Sequence, residues 1–424
     1  MFDVGVLQTS KLNIQARAQE DSRLASLRYY AACNRLPFFR RVESAPGPTS
    51  VIEGKTRIMF GSNNSLGLCG DRRLVDAANR ATELYGPACG GAPPHCGTLR
   101  VKVELEELLA DWYGTEAALV FNSGYLANVG AITALLGAAD LAFPDSEAHT
   151  SLHDGIRLSG ASSRYFAHND LNSLERNLIR TAERGGTKLI VIDGLYSMQG
   201  DVAPMESIVA LANKYNVALY VDEAHSLGVF GPNRTGIAEE YGCAKDVDVL
   251  MGSMSKAIAS TGGFIVGSRD LIDVLRLRSS QHMFTATGAP AAMAASIAGI
   301  DIIRSPEGSQ RAEAVLANAR ALRDGLMSHG LQVRAGIVRA DGSHVVAPHV
   351  SVWIGPEARA IAAWNDAFDN GVFCSLAVAP AVGENDALMR CCVSATHSPA
   401  QIDRAVDVIA SAVLNAEDTN NSGA

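Results

Sequence analysis

Long hydrophobic runs are missing from this sequence. No apolar stretch reaches the roughly 20 residues that a bilayer-spanning helix needs, and the N-terminus lacks a basic-then-apolar leader pattern. Cysteine occurs eight times, yet never as Cys-x-x-Cys and never at metal-ligand spacing. That absence argues against a metal site and for a reduced, soluble, cytoplasmic protein. Positive charge is in short supply: 36 Lys and Arg stand against 45 Asp and Glu, a formal net charge of -9. Unaided binding to nucleic acid or anionic lipid is therefore not expected. A Walker GxxxxGK[ST] is absent. So is a GxGxxG turn after a strand, since the glycines of "GPACGGAPPHCG" (86–97) follow a helix-like stretch.

What is present is a large apolar budget. The 424 residues are 47% hydrophobic and 19% charged, which fits a globular enzyme of two domains or of one large domain with a satellite. Leu105, Leu108, Leu109 and Trp112 share a helical face within 103–113. From there strands and helices alternate: strands at 117–121, 188–193, 217–222, 246–252 and 263–267, with a helix at 206–215 between two of them. Continuous apolar strands separated by helices predict an α/β fold whose mostly parallel sheet is covered on both faces. After about Pro290 come two long helices (290–303 and 310–329), strands at 349–355 and 388–395, and a closing helix at 400–413. The expected division is an N-terminal segment (1–60), a large domain (61–290), a small α+β C-terminal domain (291–414) and a disordered tail (415–424).

In such sheets ligands sit beyond the carboxyl ends of the strands. The first of these strands leads into Asn122, Ser123, Gly124 and Tyr125, whose backbone N–H groups open a helix and offer an anion cradle. Others lead into Ser197, into Asp222 with His225 three residues on, and into Ser253 with Lys256 three residues on. Each alone is commonplace: a capping acid, a surface histidine, a turn. Together at one sheet edge they ask for a cofactor with an aldehyde, a phosphate and a basic ring nitrogen. Pyridoxal 5'-phosphate (PLP) has all three.

The chain also resembles the α-oxoamine synthases, PLP enzymes of the aspartate-aminotransferase fold (fold type I). The family includes serine palmitoyltransferase and 8-amino-7-oxononanoate synthase. The resemblance is carried, in family order, by "FGSNNSLGL" (60–68), "GTLRVKVELEELLADWYGTEAALVFNSGYLAN" (97–128), "DSEAHTSLHDGIRLS" (145–159), "DGLYSMQGDVAP" (193–204), "YVDEAHSLGVFG" (220–231), "GSMSKA" (252–257), "FTATGAP" (284–290) and "LMRCCVSATHSPAQID" (388–403). By position it implies that Lys256 holds the cofactor as an imine and serves as base. It implies that Asp222 pairs with the ring nitrogen, that His225 and Ser197 meet the ring hydroxyl, and that His149 stacks on the ring and assists. Ser123, Gly124, Tyr125 and Ser253 would hold the phosphate, joined by Thr285 from a second subunit of a homodimer. Asn63 and Arg390 would hold the amino-acid carboxylate. The implied reaction joins serine, glycine or alanine to an acyl thioester, on coenzyme A or a carrier protein. It releases an α-aminoketone, carbon dioxide and the thiol. Another PLP enzyme of this fold (an aminotransferase or a lyase) and a non-catalytic subunit remain open.

Four departures stand near the substrate side. Lys102 replaces a histidine and is expected on a helix surface. Gln199 replaces an aspartate and Ser65 a tyrosine. Cys391 and Cys392, adjacent on a strand, are expected as buried packing on opposite faces. These departures bear on the substrates, and an unusual acyl donor is one expectation. Arg35, Arg40 and Arg41 are either contacts for an anionic acyl carrier or solvated charge.

Overall fold

A computed structural model describes residues 14–334, 336–338 and 344–421. Seven strands form the larger sheet in the order 117–121, 263–267, 249–253, 218–222, 188–193, 141–144, 162–163. The strand Gly263–Gly267 runs antiparallel to both neighbours; every other pairing is parallel. The apolar strands read as continuous because both faces are buried. Ile190, Ile192, Leu219, Val221 and Phe264 join one core, while Leu189, Val191, Tyr220 and Ile265 join the other. The strand expected over 246–252 begins at Val249, because Asp248 turns its carboxylate onto the backbone N–H of Leu219 at 2.7 Å.

The second sheet has the order 49–52, 55–60, 372–377, 387–392, 349–355, 333–334. Its first two strands come from the N-terminal segment, and Lys55–Phe60 pairs in parallel with Val372–Ala377. The expected break between an N-terminal segment and a C-terminal domain therefore does not exist in this sheet. Arg40 is part of the same junction: its side chain is almost fully enclosed, 3.2 Å from Glu53 and over the Phe368 ring at 4.9 Å. It is neither solvated nor free for a carrier. Arg35 pairs with Asp369 at 2.6 Å, and Arg41 is exposed.

The tail expected to be disordered is helical as far as Asn421, since the closing helix runs Pro399–Asn421; residues 422–424 lie outside the described residues. Lys102 is a second correction. It is buried, paired with Glu106 and 3.4 Å from His282 Nε2. Glu106 also accepts from the Val120 N–H at 3.0 Å and faces Arg276 at 3.4 Å. A buried ammonium is tolerated here because its partner is itself held on three sides.

Glu223 follows Asp222 and is fully buried, away from the strand-end acids' role. It accepts the backbone N–H groups of Ile237 (2.9 Å) and Ala238 (2.7 Å) and the Ser226 hydroxyl. Burial pushes its acid up to about 7 despite those donors. A raised carboxyl holds its proton longer in the folded state, so folding stability falls as pH rises from the ordinary range to about 7. The span corresponds to on the order of 3 kcal/mol. Urea unfolding at pH 5.5 and pH 7.5 is expected to show a little over half of this loss in the wild type and a much flatter profile in Glu223→Gln.

Candidate active site

The carboxyl ends of the parallel strands meet the N-termini of two helices. The helix Gly124–Leu135 starts directly after a strand, with the Ser123 hydroxyl accepting from the Leu126 N–H at 3.2 Å. Glycine is required where it starts. A Cβ on Gly124 would lie 3.0 Å from Met251 Cε and 3.2 Å from Ser253 Oγ, and one on Gly263 would lie 2.5 Å from Gly124 Cα. This close approach brings the free N–H groups of the helix beside Ser253, a geometry suited to a phosphate. Ser253 Oγ lies 2.8 Å from Ser255 Oγ.

A cavity of about 210 Å³ is lined by Ser123, Gly124, Tyr125, Asn128, His149, Asp222, His225, Ser253, Ser255 and Lys256. Burial, with Arg390 adding to it, outweighs the pull of Asp222 and lowers the Lys256 ammonium from its ordinary range. The free amine, the nucleophilic form, is thereby favoured. Asp222 is buried, its Oδ1 taking the Ala224 N–H at 2.8 Å and its Oδ2 the Asn128 amide at 2.7 Å. Asp193 is its register partner on the next strand. Burial first, then the Asp222 charge, raises Asp193 well above the carboxylate range, so Asp193 holds its proton. Burial first and Lys256 next hold His225 neutral, well below its usual range. His149 is also lowered, mainly by burial.

Against the cavity lies a smaller recess of about 10 Å³ beside Lys256, lined by Asn63, Ser65, His225, His349 and Cys392 among others. Arg390 is buried, reaching the Ser197 carbonyl at 2.9 Å and Asn63 Oδ1 at 3.1 Å. Cys392 approaches the same Asn63 oxygen at 3.2 Å, while Cys391 turns to Cys374, so the two thiols do take opposite faces. Both are free. Cys392 is thus more than packing, since it borders the site.

Most of the expected residues converge. Ser197 enters through its carbonyl rather than as a wall of the cavity. Thr285 does not line the cavity; its hydroxyl is 3.5 Å from Asn122 Nδ2 of its own chain. Gln199 ties a loop to the second sheet, accepting from Arg334 at 2.9 Å. Of the small residues after Lys256, Ala257 packs where a Cβ on Gly228 would approach to 2.6 Å, and the Ser260 hydroxyl donates to the Ala292 carbonyl at 2.6 Å. They serve the turn as much as the cavity. Residues that sequence reasoning missed are Asn128, Ser151, Ser255 and His349. Asn128 was legible as the position one turn into the cradle helix; His349, far along the chain, carried no local signal.

The fit to PLP is good: a buried amine, a buried strand-end carboxyl, two neutral imidazoles and an anion cradle share one cavity. Fold and site together define a PLP-dependent enzyme of fold type I. The chain belongs to the aminotransferase class I and II family, whose profile matches residues 55–409. It is 37% identical over 369 residues to a serine palmitoyltransferase of Caulobacter vibrioides, covering 87% of this chain and 88% of that protein. It is 36% identical over 371 residues to an 8-amino-7-oxononanoate synthase of Geobacter metallireducens, covering 88% and 92%. A solved serine palmitoyltransferase with its PLP internal aldimine superposes with a TM-score of 0.88 at 31% identity, covering 94% of this chain and 98% of that one.

Proposed function

We propose that this protein is an α-oxoamine synthase: it condenses a small amino acid with an acyl thioester, releasing an α-aminoketone, carbon dioxide and the free thiol. The observation that carries the reading is that Lys256 and Asp222 line one cavity at the strand ends, while buried Arg390 holds Asn63, which borders Lys256 in the adjoining recess. PLP, when bound, supplies an electron sink for the negative charge that develops at the substrate Cα. Lys256 would hold the cofactor through its aldehyde, and its free Nζ would take the substrate Cα proton and later return one. Asp222 would keep the ring nitrogen protonated. His225 would meet the ring hydroxyl with Ser197 beside it, and His149 would cover the ring face. Ser123, Gly124, Tyr125 and Ser253 would hold the phosphate. In a homodimer, Thr285 of each subunit would complete the other's cradle. A cytoplasmic location fits the reading; among the described residues no helix is long and apolar enough to cross a membrane.

Arg390, assisted by Asn63, would hold the substrate carboxylate, for which a planar guanidinium offers two parallel donors. Lysine has no such fork. Arg390→Lys is expected to raise the KM for the amino acid about tenfold or more with a smaller change in kcat, read in steady-state kinetics.

The reading is tested by pairing serine, glycine and alanine with a series of acyl-CoA and acyl-carrier thioesters. Thiol release that needs both substrates, with an aminoketone found by mass analysis, is the expected result. Rapid pyridoxamine formation with amino acid alone would overturn it in favour of aminotransfer.

A further inference from the structure

Two buried polar residues that the reaction does not require, Asn128 and Ser151, link Asp222 to His149, and a third, Tyr220, braces Asn128. Tyr220 stands two residues before Asp222 on the same strand, so both side chains emerge on one face. Its hydroxyl donates to Asn128 Oδ1 at 2.7 Å. The Asn128 amide nitrogen has two hydrogens, and it donates to Asp222 Oδ2 at 2.7 Å and to Ser151 Oγ at 2.8 Å. A flipped amide would set its oxygen against the Asp222 carboxylate, so the orientation is fixed. Ser151 Oγ accepts from Asn128 and lies 2.6 Å from His149 Nδ1. The Ser151 N–H approaches the same nitrogen at 3.3 Å. A backbone N–H can only donate, so a hydrogen on Nδ1 would oppose it; Nδ1 is therefore the acceptor, the Ser151 hydroxyl turns its hydrogen toward it, and the proton of this imidazole is on Nε2. Tyr220, Asn128, Ser151 and Asp222 are all at least nine-tenths buried, so water does not compete for these bonds.

We infer that Asn128 and Ser151 are positioning residues: they lock His149 as the Nε2–H tautomer and hold the Asp222 carboxylate in register with it. Neither touches the reacting atoms. Asn128 consumes one lone pair of Asp222 Oδ2 and leaves the carboxylate's remaining acceptor capacity to the cofactor. Ser151 makes the imidazole beside the cofactor a hydrogen-bond donor at Nε2 rather than an acceptor. The two functional groups thus share one polarised path through the junction of the helices Gly124–Leu135 and Thr150–Ser159. The role in the reaction rests on the function proposed above; the tautomer does not.

The test begins with ¹⁵N-histidine-labelled apoprotein. Nitrogen shifts of His149 are expected to report the Nε2–H tautomer in the wild type, a tautomer mixture in Ser151→Ala, and the wild-type form again in Ser151→Thr, which restores the hydroxyl. Asn128→Leu is expected to weaken PLP binding about tenfold by equilibrium dialysis, since it strips a buried donor from Asp222. In the holoenzyme, Ser151→Ala is expected to lower kcat about tenfold with KM within about twofold, and Ser151→Thr to recover it. A His149 spectrum unchanged in Ser151→Ala, or Ser151→Thr behaving like Ser151→Ala in both spectrum and kcat, would overturn the inference. Should Asn128→Leu fail to fold, the two Ser151 variants decide. An altered His149 spectrum in a protein that does not perform the condensation would uphold the tautomer lock and sink the proposed function instead.

Discussion

Lys256→Ala is expected to reduce turnover by at least about 10³-fold, with the protein still folded and still able to bind PLP weakly through its phosphate cradle. Two losses coincide at one nitrogen. The variant has no amine to hold the aldehyde and no base near the substrate Cα. Other bases cannot substitute readily, because burial and neighbouring charge keep His225 and His349 poor proton acceptors, His349 at about 3. The fold should tolerate the change. Burial already disfavours the Lys256 ammonium. Loss of the visible absorbance of the lysine-bound cofactor, together with an unchanged far-UV spectrum, checks both halves. Turnover within tenfold of wild type would mean that Lys256 is not the base.

Asp222→Asn is expected to come second, with kcat lowered on the order of 10³-fold and PLP affinity reduced. The first cause is charge: an amide cannot stabilise a protonated ring nitrogen. The second is specific to this site. Asp222 Oδ1 faces the Ala224 N–H and Oδ2 faces the Asn128 amide nitrogen, so both oxygens are accepting. An asparagine must present its NH₂ to one of these donors. Either the Ala224 N–H is left unpaired, or Asn128 flips and breaks its bonds to Tyr220 and Ser151. A buried donor without an acceptor costs about 1–3 kcal/mol. Thermal unfolding of the apoprotein, where no cofactor can mask the effect, is expected to show a lowered midpoint. An apoprotein as stable as wild type would contradict the contact argument, while kcat reports separately on the charge.

Much of the site was legible because strands buried on both faces deliver whatever follows them to one edge. Ser123, Asp222, His225, Ser253 and Lys256 each stand within three residues of a strand end, and that spacing survives any error in the helices between. His149 and Arg390 were legible through motif resemblance alone. His149 caps the helix Thr150–Ser159, and Arg390 lies inside a strand of the second sheet, so no strand-end argument finds them. Lys102 was misread because its helix pattern places it among charged residues; only the approach of His282, 180 positions along the chain, encloses it. The helical tail was misread because its composition is polar, whereas Ala410, Ala412 and Val413 in the preceding turns, and Ala416 at its start, are buried. An established helix propagates at little cost beyond the residues that anchor it.

By itself the sequence determined the α/β class, the position along the chain of the large sheet's main strands, and the chemistry gathered at its edge. Each rests on local quantities: apolar runs, small residues at turns, and the identity of the residue where a strand stops. The tertiary structure decided what those quantities cannot encode. It placed the N-terminal strands in the C-terminal sheet, enclosed Arg40 and Lys102, put His349 and Cys392 against Lys256, and ran Tyr220, Asn128 and Ser151 between an acid and an imidazole. These are meetings between residues up to several hundred positions apart. They depend on strand register and helix crossing, which the periodicity of one segment does not contain.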